Sequence, residues 1–176
     1  MVGLDGSAAG VSGDGSVVVG TSGHGASRWT DASGWVGLGE LPGGDLGSGA
    51  AAVSSDGSVI VGSVQPAPNL VEAFYWTSSG GMKRLWDVLL ANGVDPAADG
   101  WTSLAYARAI SADGKTIVGE GLRNGNQEGF VAVIPEPSSL ALLGLGGAFL
   151  LRPRRHRRQP ASACLTRRRL RLPSQS

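Results

Sequence analysis

Val53-Ser54-Ser55-Asp56-Gly57-Ser58-Val59-Ile60-Val61-Gly62 decides the fold, because the stretch occurs three times. Residues 11–20 read V-S-G-D-G-S-V-V-V-G and residues 110–119 read I-S-A-D-G-K-T-I-V-G, so Ser12, Ser54 and Ser111 stand in register. Asp-Gly between a short apolar run and a β-branched run signals a hairpin. The three predicted turns are Asp14-Gly15, Asp56-Gly57 and Asp113-Gly114. Serine braces each turn, Val and Ile pack between sheets, and the closing Gly20, Gly62 and Gly119 permit a bend or a close approach. The rival reading gives the three turns a cation or a sugar to hold. One carboxylate per turn is sparse beside the six to eight oxygens, roughly, of a calcium cage.

Working outward, each copy is followed by a second element: Ala26-Ser27-Arg28-Trp29-Thr30, Ala73-Phe74-Tyr75-Trp76-Thr77, and Gly129-Phe130-Val131-Ala132 without the Trp and Thr. These predict a third strand, and Gly34-Trp35-Val36 or Gly81-Met82 opens a fourth. Four short antiparallel strands in roughly 42 residues is the arithmetic of one propeller blade. The predicted fold is therefore all-β: antiparallel four-stranded repeat units in a partial β-propeller-like array of about three blades. One short C-terminal hydrophobic helix and a disordered basic tail follow. The repeats fill residues 1–132, divided at 9–49, 50–104 and 105–132. At an insertion over 83–104, Met82 just before it and Leu85, Trp86 and Leu89 within it fall at i, i+3, i+4 and i+7, the spacing of a short amphipathic helix ending near Asn92-Gly93. Val2-Gly3-Leu4 resembles Val36-Gly37-Leu38 but reaches its hairpin sooner, and three blades are fewer than the four to eight, roughly, that close a propeller. An incomplete array from a fragment is the expectation.

Composition narrows the function. Glycine supplies 29 of the 176 residues and proline nine, while 41% are hydrophobic, which fits a folded, turn-dense chain. All 14 acidic residues lie at or before Glu136 and nine of the 15 basic ones after Leu151, so residues 1–136 carry −8 and residues 152–176 carry +9. Cys164 is the single cysteine, which excludes an internal disulfide framework. His24 and His156 are the only histidines. No nucleophile-base pair or paired carboxylate stands out from the repeats, so no catalytic, cofactor or metal residue is assigned. The Ser-x-Asp-Gly turns also depart from the sialidase Asp-box, because Gly directly follows Asp and no Trp closes the turn. Trp29, Trp35, Trp76, Trp86 and Trp101 are open to two readings, stacking on sugars or packing between blades. The arginine-rich end lacks an aromatic platform, and no nucleic-acid partner is expected.

Beyond Phe130 the composition changes. Pro135-Glu136-Pro137 precedes an uncharged run made of Leu140, Ala141, Leu142, Leu143, Gly144, Leu145, Gly146, Gly147, Ala148, Phe149, Leu150 and Leu151. Arg152, Arg154, Arg155, Arg157 and Arg158 then close it. The prolines fix an extended segment, the run is a membrane-segment candidate, and the arginines hold its far end in the cytoplasm. From Ser138 the run spans about 21 Å of helix against a hydrocarbon core of about 30 Å. Alone it is a marginal span or a buried helix. Arginine snorkelling and local thinning make up part of the difference. Residues 159–176, with Arg167-Arg168-Arg169, show no apolar periodicity and are expected to be disordered.

Two resemblances follow from these residues. The repeats, with Glu72-Ala73-Phe74-Tyr75-Trp76-Thr77 and the L-G-E-L-P-G-G of residues 38–44, resemble the HAF repeats of bacterial extracellular proteins, although Glu72 stands where the name-giving His would be. Residues 134–158 resemble the PEP-CTERM sorting signal of Gram-negative, exopolysaccharide-producing bacteria, with Pro135-Glu136-Pro137 as the motif; the sorting unit is set at 133–158. That resemblance implies an exosortase, an integral-membrane cysteine protease, as partner. It also implies transient residence in the inner membrane, cleavage near the motif, and release to the cell surface or matrix, where exopolysaccharide is a further candidate partner. A member of that family starts with a signal peptide, whereas Met1-Val2-Gly3-Leu4-Asp5-Gly6 has neither a basic nor an apolar stretch. The function expected is a non-enzymatic exported surface or extracellular-matrix protein of the biofilm type. The alternatives are a propeller-type carbohydrate-active enzyme or carbohydrate-binding module, and a plain membrane-anchored protein without processing.

Overall fold

A computed structural model of the chain describes residues 3–135. Eleven strands form three antiparallel sheets. The first sheet takes β1 (Ser7–Val11), β2 (Val18–Ser22), β3 (Gly25–Thr30) and β4 (Gly34–Gly37) in that order. The second takes β5 (Ser48–Val53), β6 (Val59–Ala67), β7 (Leu70–Thr77) and β8 (Gly81–Arg84). Helix α1 (Leu85–Ala91) and a short 3-10 turn (Pro96–Asp99) lead to the third sheet, where β10 (Thr116–Arg123) lies between β9 (Trp101–Ile110) and β11 (Asn126–Val133).

The first two sheets have the four strands expected; among the described residues the third has three. The first two sheets enter their fourth strand across Gly34 and Gly81, at φ of 66° and 65°, a conformation that glycine adopts without strain. After β11 the chain reaches Ile134, whose N–H donates to the Lys115 carbonyl at 2.9 Å, and then Pro135, which has no N–H to continue a ladder. The strands also start earlier than the repeat boundaries imply. β1 opens at Ser7, β5 at Ser48, and β9 at Trp101, inside the expected insertion. Met82 belongs to β8, and α1 carries Leu85 and Leu89 buried, with Asn92 and Gly93 closing it.

The second sheet is covered on both faces, which is why its central strand reads as a continuous apolar run rather than an alternating one. Ile60, Val64, Phe74 and Trp76 meet Val19 and Ala26 of the first sheet in one cluster. Val59, Val61 and Ala73 meet Ile117, Phe130, Ala107 and the helix residues Leu85 and Leu89 in the other. The linker joining the first two sheets seals the first cluster with buried Leu38 and Leu41, and the Trp76 indole N–H donates to the Leu38 carbonyl at 2.9 Å.

One irregularity is repeated in all three sheets. The ladder slips past Ala9, Ala51 and Arg108, which are equivalent positions: Ala8 pairs Gly20 while Gly10 pairs Val19, Ala50 pairs Gly62 while Ala52 pairs Val61, and Ala107 pairs Gly119 while Ala109 pairs Val118. These are β-bulges, each facing the glycine that closes the repeated motif. The bulge drives a carbonyl over that glycine. A Cβ on Gly20, Gly62 or Gly119 would lie 1.8, 2.1 or 1.9 Å from the carbonyl oxygens of Ser7, Gly49 and Tyr106 respectively.

Candidate functional site

The Ser-x-Asp-Gly turns are the first candidates. They are connections of six, five and five residues, not the two-residue hairpin turn expected, and their geometry follows from the serine and aspartate side chains. Ser54 Oγ donates to Asp56 Oδ1 at 2.6 Å and accepts from the Val59 N–H at 3.0 Å. Asp56 Oδ1 also accepts from the Ser58 N–H at 3.0 Å and the Ser58 hydroxyl at 2.8 Å. Ser12, Asp14, Ser16 and Val17 repeat the pattern, as do Ser111, Asp113 and the amides of Lys115 and Thr116. Asp-Gly thus places only its glycine at positive φ, at 75°, 73° and 73° for Gly15, Gly57 and Gly114. Because Ser54 is buried, losing its hydroxyl would leave the Val59 N–H unsatisfied, a defect costing about 1–3 kcal/mol. The turns are linked to one another as well: the Gly13 N–H donates to the Ser55 carbonyl at 2.8 Å, and the Ser55 N–H to the Ala112 carbonyl at 3.0 Å.

These bonds set the carboxylates' acidity. The Ser12 hydroxyl, then the amide and hydroxyl of Ser16, hold the Asp14 carboxyl at about 2 against a usual 3.8. The Ser54 hydroxyl and the Ser58 amide and hydroxyl hold Asp56 at about 2. Asp113 is lowered by the Ser111 hydroxyl and the Lys115 amide. A folded-state pKa below the unfolded one contributes stability that is complete above the unfolded value and lost as pH falls through the folded one. The thermal midpoint is therefore expected to hold down to about pH 4 and fall between about 4 and 2. Exchanging Asp14, Asp56 and Asp113 together for Asn should flatten that fall in melts followed by circular dichroism, and an unchanged slope would contradict the assignment.

A cleft of about 720 Å³ is the feature that the repeat reading did not find. It lies between the β2–β3 turn, β4 and the linker to the second sheet, with His24, Trp35, Glu40, Asp45, Leu46 and Ser48 on its walls. The linker's Gly39, Gly43 and Gly44 all have positive φ, so the L-G-E-L-P-G-G run of residues 38–44 held the signal for an open, looped wall. Trp35 Nε1 and Asp45 Oδ2 are both buried without a hydrogen-bond partner among the described residues. One donor and one acceptor on residues that line the cleft are thus left unpaired. Of the other tryptophans, Trp76 is in the core and Trp101 packs edge-on against Phe130 with ring centroids 6.0 Å apart. Among the described residues no three His, Cys, Asp or Glu are grouped as a metal site.

The third candidate is where the chain leaves the β unit. Val133 pairs with Thr116, Ile134 is tied to Lys115 and packs on the second core cluster, and Pro135 is exposed. Glu136, Pro137, the apolar run 140–151, the arginines within 152–158 and the tail 159–176 lie outside the described residues. No described helix is long and apolar enough to cross a membrane. The fold and this exit define a mostly β repeat protein with a C-terminal extension beginning at an exposed proline. That extension is a PEP-CTERM protein-sorting motif, matched over residues 133–155. The motif is one recognised by exosortase, a membrane protease, and it marks exosortase-dependent sorting of a secreted protein through a membrane-anchored precursor. No curated protein matches the chain.

Proposed function

We propose that the chain is a non-enzymatic surface or extracellular-matrix protein whose β unit, a HAF-type and propeller-like array, is delivered by its C-terminal signal. The supporting observation is the position of the motif. The last ladder bond is made by Ile134, and the next residue, Pro135, is exposed, so a protease gripping the following main chain cuts without dismantling a strand. The acid-rich β unit and the basic end separate at that point. In this reading the arginines retain the precursor at the inner membrane and cleavage frees the β unit. Fractionation of cells expressing the chain behind a secretion signal tests it. The β unit is expected outside the membrane fraction only where exosortase is present, and equal release without the protease contradicts the proposal.

A second reading, carbohydrate binding, is favoured by the unpaired Trp35 Nε1 and Asp45 Oδ2 at the linker cleft. Exopolysaccharide then becomes the ligand of the released unit. Glycan titration should show binding that Trp35→Phe and Asp45→Asn each weaken about tenfold, the loss expected when one hydrogen bond of about 1.4 kcal/mol goes unmade. Equal affinity in both variants sinks this reading.

A further inference from the structure

The faces at the two ends of the three-sheet array are built to the same pattern as those already packed inside it. Val19, Val61 and Val118 are equivalent positions on the face each sheet turns toward the next. The first two are 0% exposed beneath a following sheet, while Val118 is 37% exposed. Directly across the ladder from it, Val131 is 71% exposed, and Val133 lies nearby on the same strand. At the opposite end Val11 is 58% exposed, although its counterpart Val53 is buried against the first sheet and Ile110 packs into the second cluster.

The turns carry the same asymmetry. A Cβ on Gly57 would meet Val17 Cγ2 at 2.9 Å and one on Gly114 would meet Val59 Cγ2 at 3.1 Å, because the preceding repeat presses on each turn; one on Gly15 meets nothing within 4 Å. The hydrogen-bond ladder from Gly13 to Ser55 to Ala112 also stops at both ends. Among the described residues, the Ala112 N–H and the Gly13 carbonyl have no hydrogen-bond partner.

We propose that the third sheet of one copy packs on the first sheet of a second copy, head to tail, continuing the existing sheet-to-sheet interface across the molecular boundary. Val118 and Val131 take the place that Val19 and Arg28 hold in the first interface, Thr116 covers Gly15 as Val17 covers Gly57, and the Ala112 N–H meets the Gly13 carbonyl. A second copy is the occupant that the observations favour, since this chain itself carries both complementary faces and both halves of the missing hydrogen bond. Two copies bring six sheets into succession, within the range of about four to eight over which such arrays close. Closure ends growth at a dimer, where a non-closing head-to-tail contact would give filaments. Val131→Glu and Val11→Glu each bury a charge in the contact while altering a side chain that the single copy leaves in water.

Sedimentation velocity of the full chain in detergent micelles, with fold checked by circular dichroism, is the test. The native chain should sediment with the protein mass of two copies, and both variants, equally folded, with half that mass. A single-copy native chain overturns the proposal. So does a pair that survives Val131→Glu, which places the association outside the third sheet or in residues 136–176, and a pair that survives Val11→Glu, which makes the contact third sheet to third sheet.

Discussion

Gly62→Ala is expected to cost about 3 kcal/mol, the upper end of the usual overpacking penalty, and to move the urea midpoint down accordingly. The new Cβ would stand 2.1 Å from the Gly49 carbonyl oxygen and 2.8 Å from Phe74 Cε1. The first of these is backbone, fixed by the bulge at Ala51 and by the pairing of β5 with β6, so it cannot swing away as a flexible side chain does. Phe74 is itself fully buried in the cluster between the first two sheets. A loss of this size is a large part of the stability of about 5–15 kcal/mol usual for a domain. Gly23→Ala is the control. Gly23 is exposed, has no positive φ, and has nothing within 4 Å of an added Cβ, so its effect should stay within about 0.5 kcal/mol. Equal midpoints for the two variants would contradict the bulge-and-glycine account of the repeat.

The second large effect concerns the sorting motif. Replacing Pro135, Glu136 and Pro137 together by alanine should leave the chain uncut in a host that has the protease. Two prolines flanking one residue confine the main chain to extended conformations, the shape in which a protease aligns a substrate, and bias the residue before each of them the same way. Alanines remove that bias and join the segment to the leucine-rich run, whose composition favours helix. The β unit should melt unchanged, since its last ladder bond is made by the main chain of Ile134. Normal processing of the triple variant, read by immunoblot, would move recognition to the apolar run or the arginines.

How much of this was legible in the sequence depended on which force acted locally. The repeat of Ser12, Ser54 and Ser111 gave the three turns, and the β-branched runs after them gave β2, β6 and β10, because alternation of turn and strand chemistry is a local property. The 85–89 spacing gave α1 for the same reason. The bulges at Ala9, Ala51 and Arg108 were legible only in part: Gly20, Gly62 and Gly119 read as permitting a bend or a close approach, but the carbonyl that makes the approach belongs to the neighbouring strand. Asp-Gly pointed to a tighter turn than the one formed, because the serine hydroxyl competes for the amide that a two-residue hairpin would pair. A tight two-residue hairpin turn does occur at Asn124-Gly125, between the paired Arg123 and Asn126, with φ of 49° and 81°. The Asn-Gly pair was there to be read. The extent of β9 was hidden because Trp101 and Leu104 lie in a stretch that also reads as insertion. The linker cleft was hidden because its walls come from a turn, a strand and a loop that only the packing of the first two sheets brings together. The sorting motif, in contrast, is linear, so its residues are adjacent in the chain and were visible at once.

The central claim is that the chain is a substrate sorted through its C-terminal signal, and the mass of the mature protein tests it most directly. The chain is placed behind a secretion signal, expressed in hosts with and without exosortase, and weighed intact by mass spectrometry. The account predicts loss of the residues beyond the Pro135-Glu136-Pro137 region only where the protease is present. The full mass in both hosts would contradict it and leave residues 140–151 as a plain anchor or a buried segment.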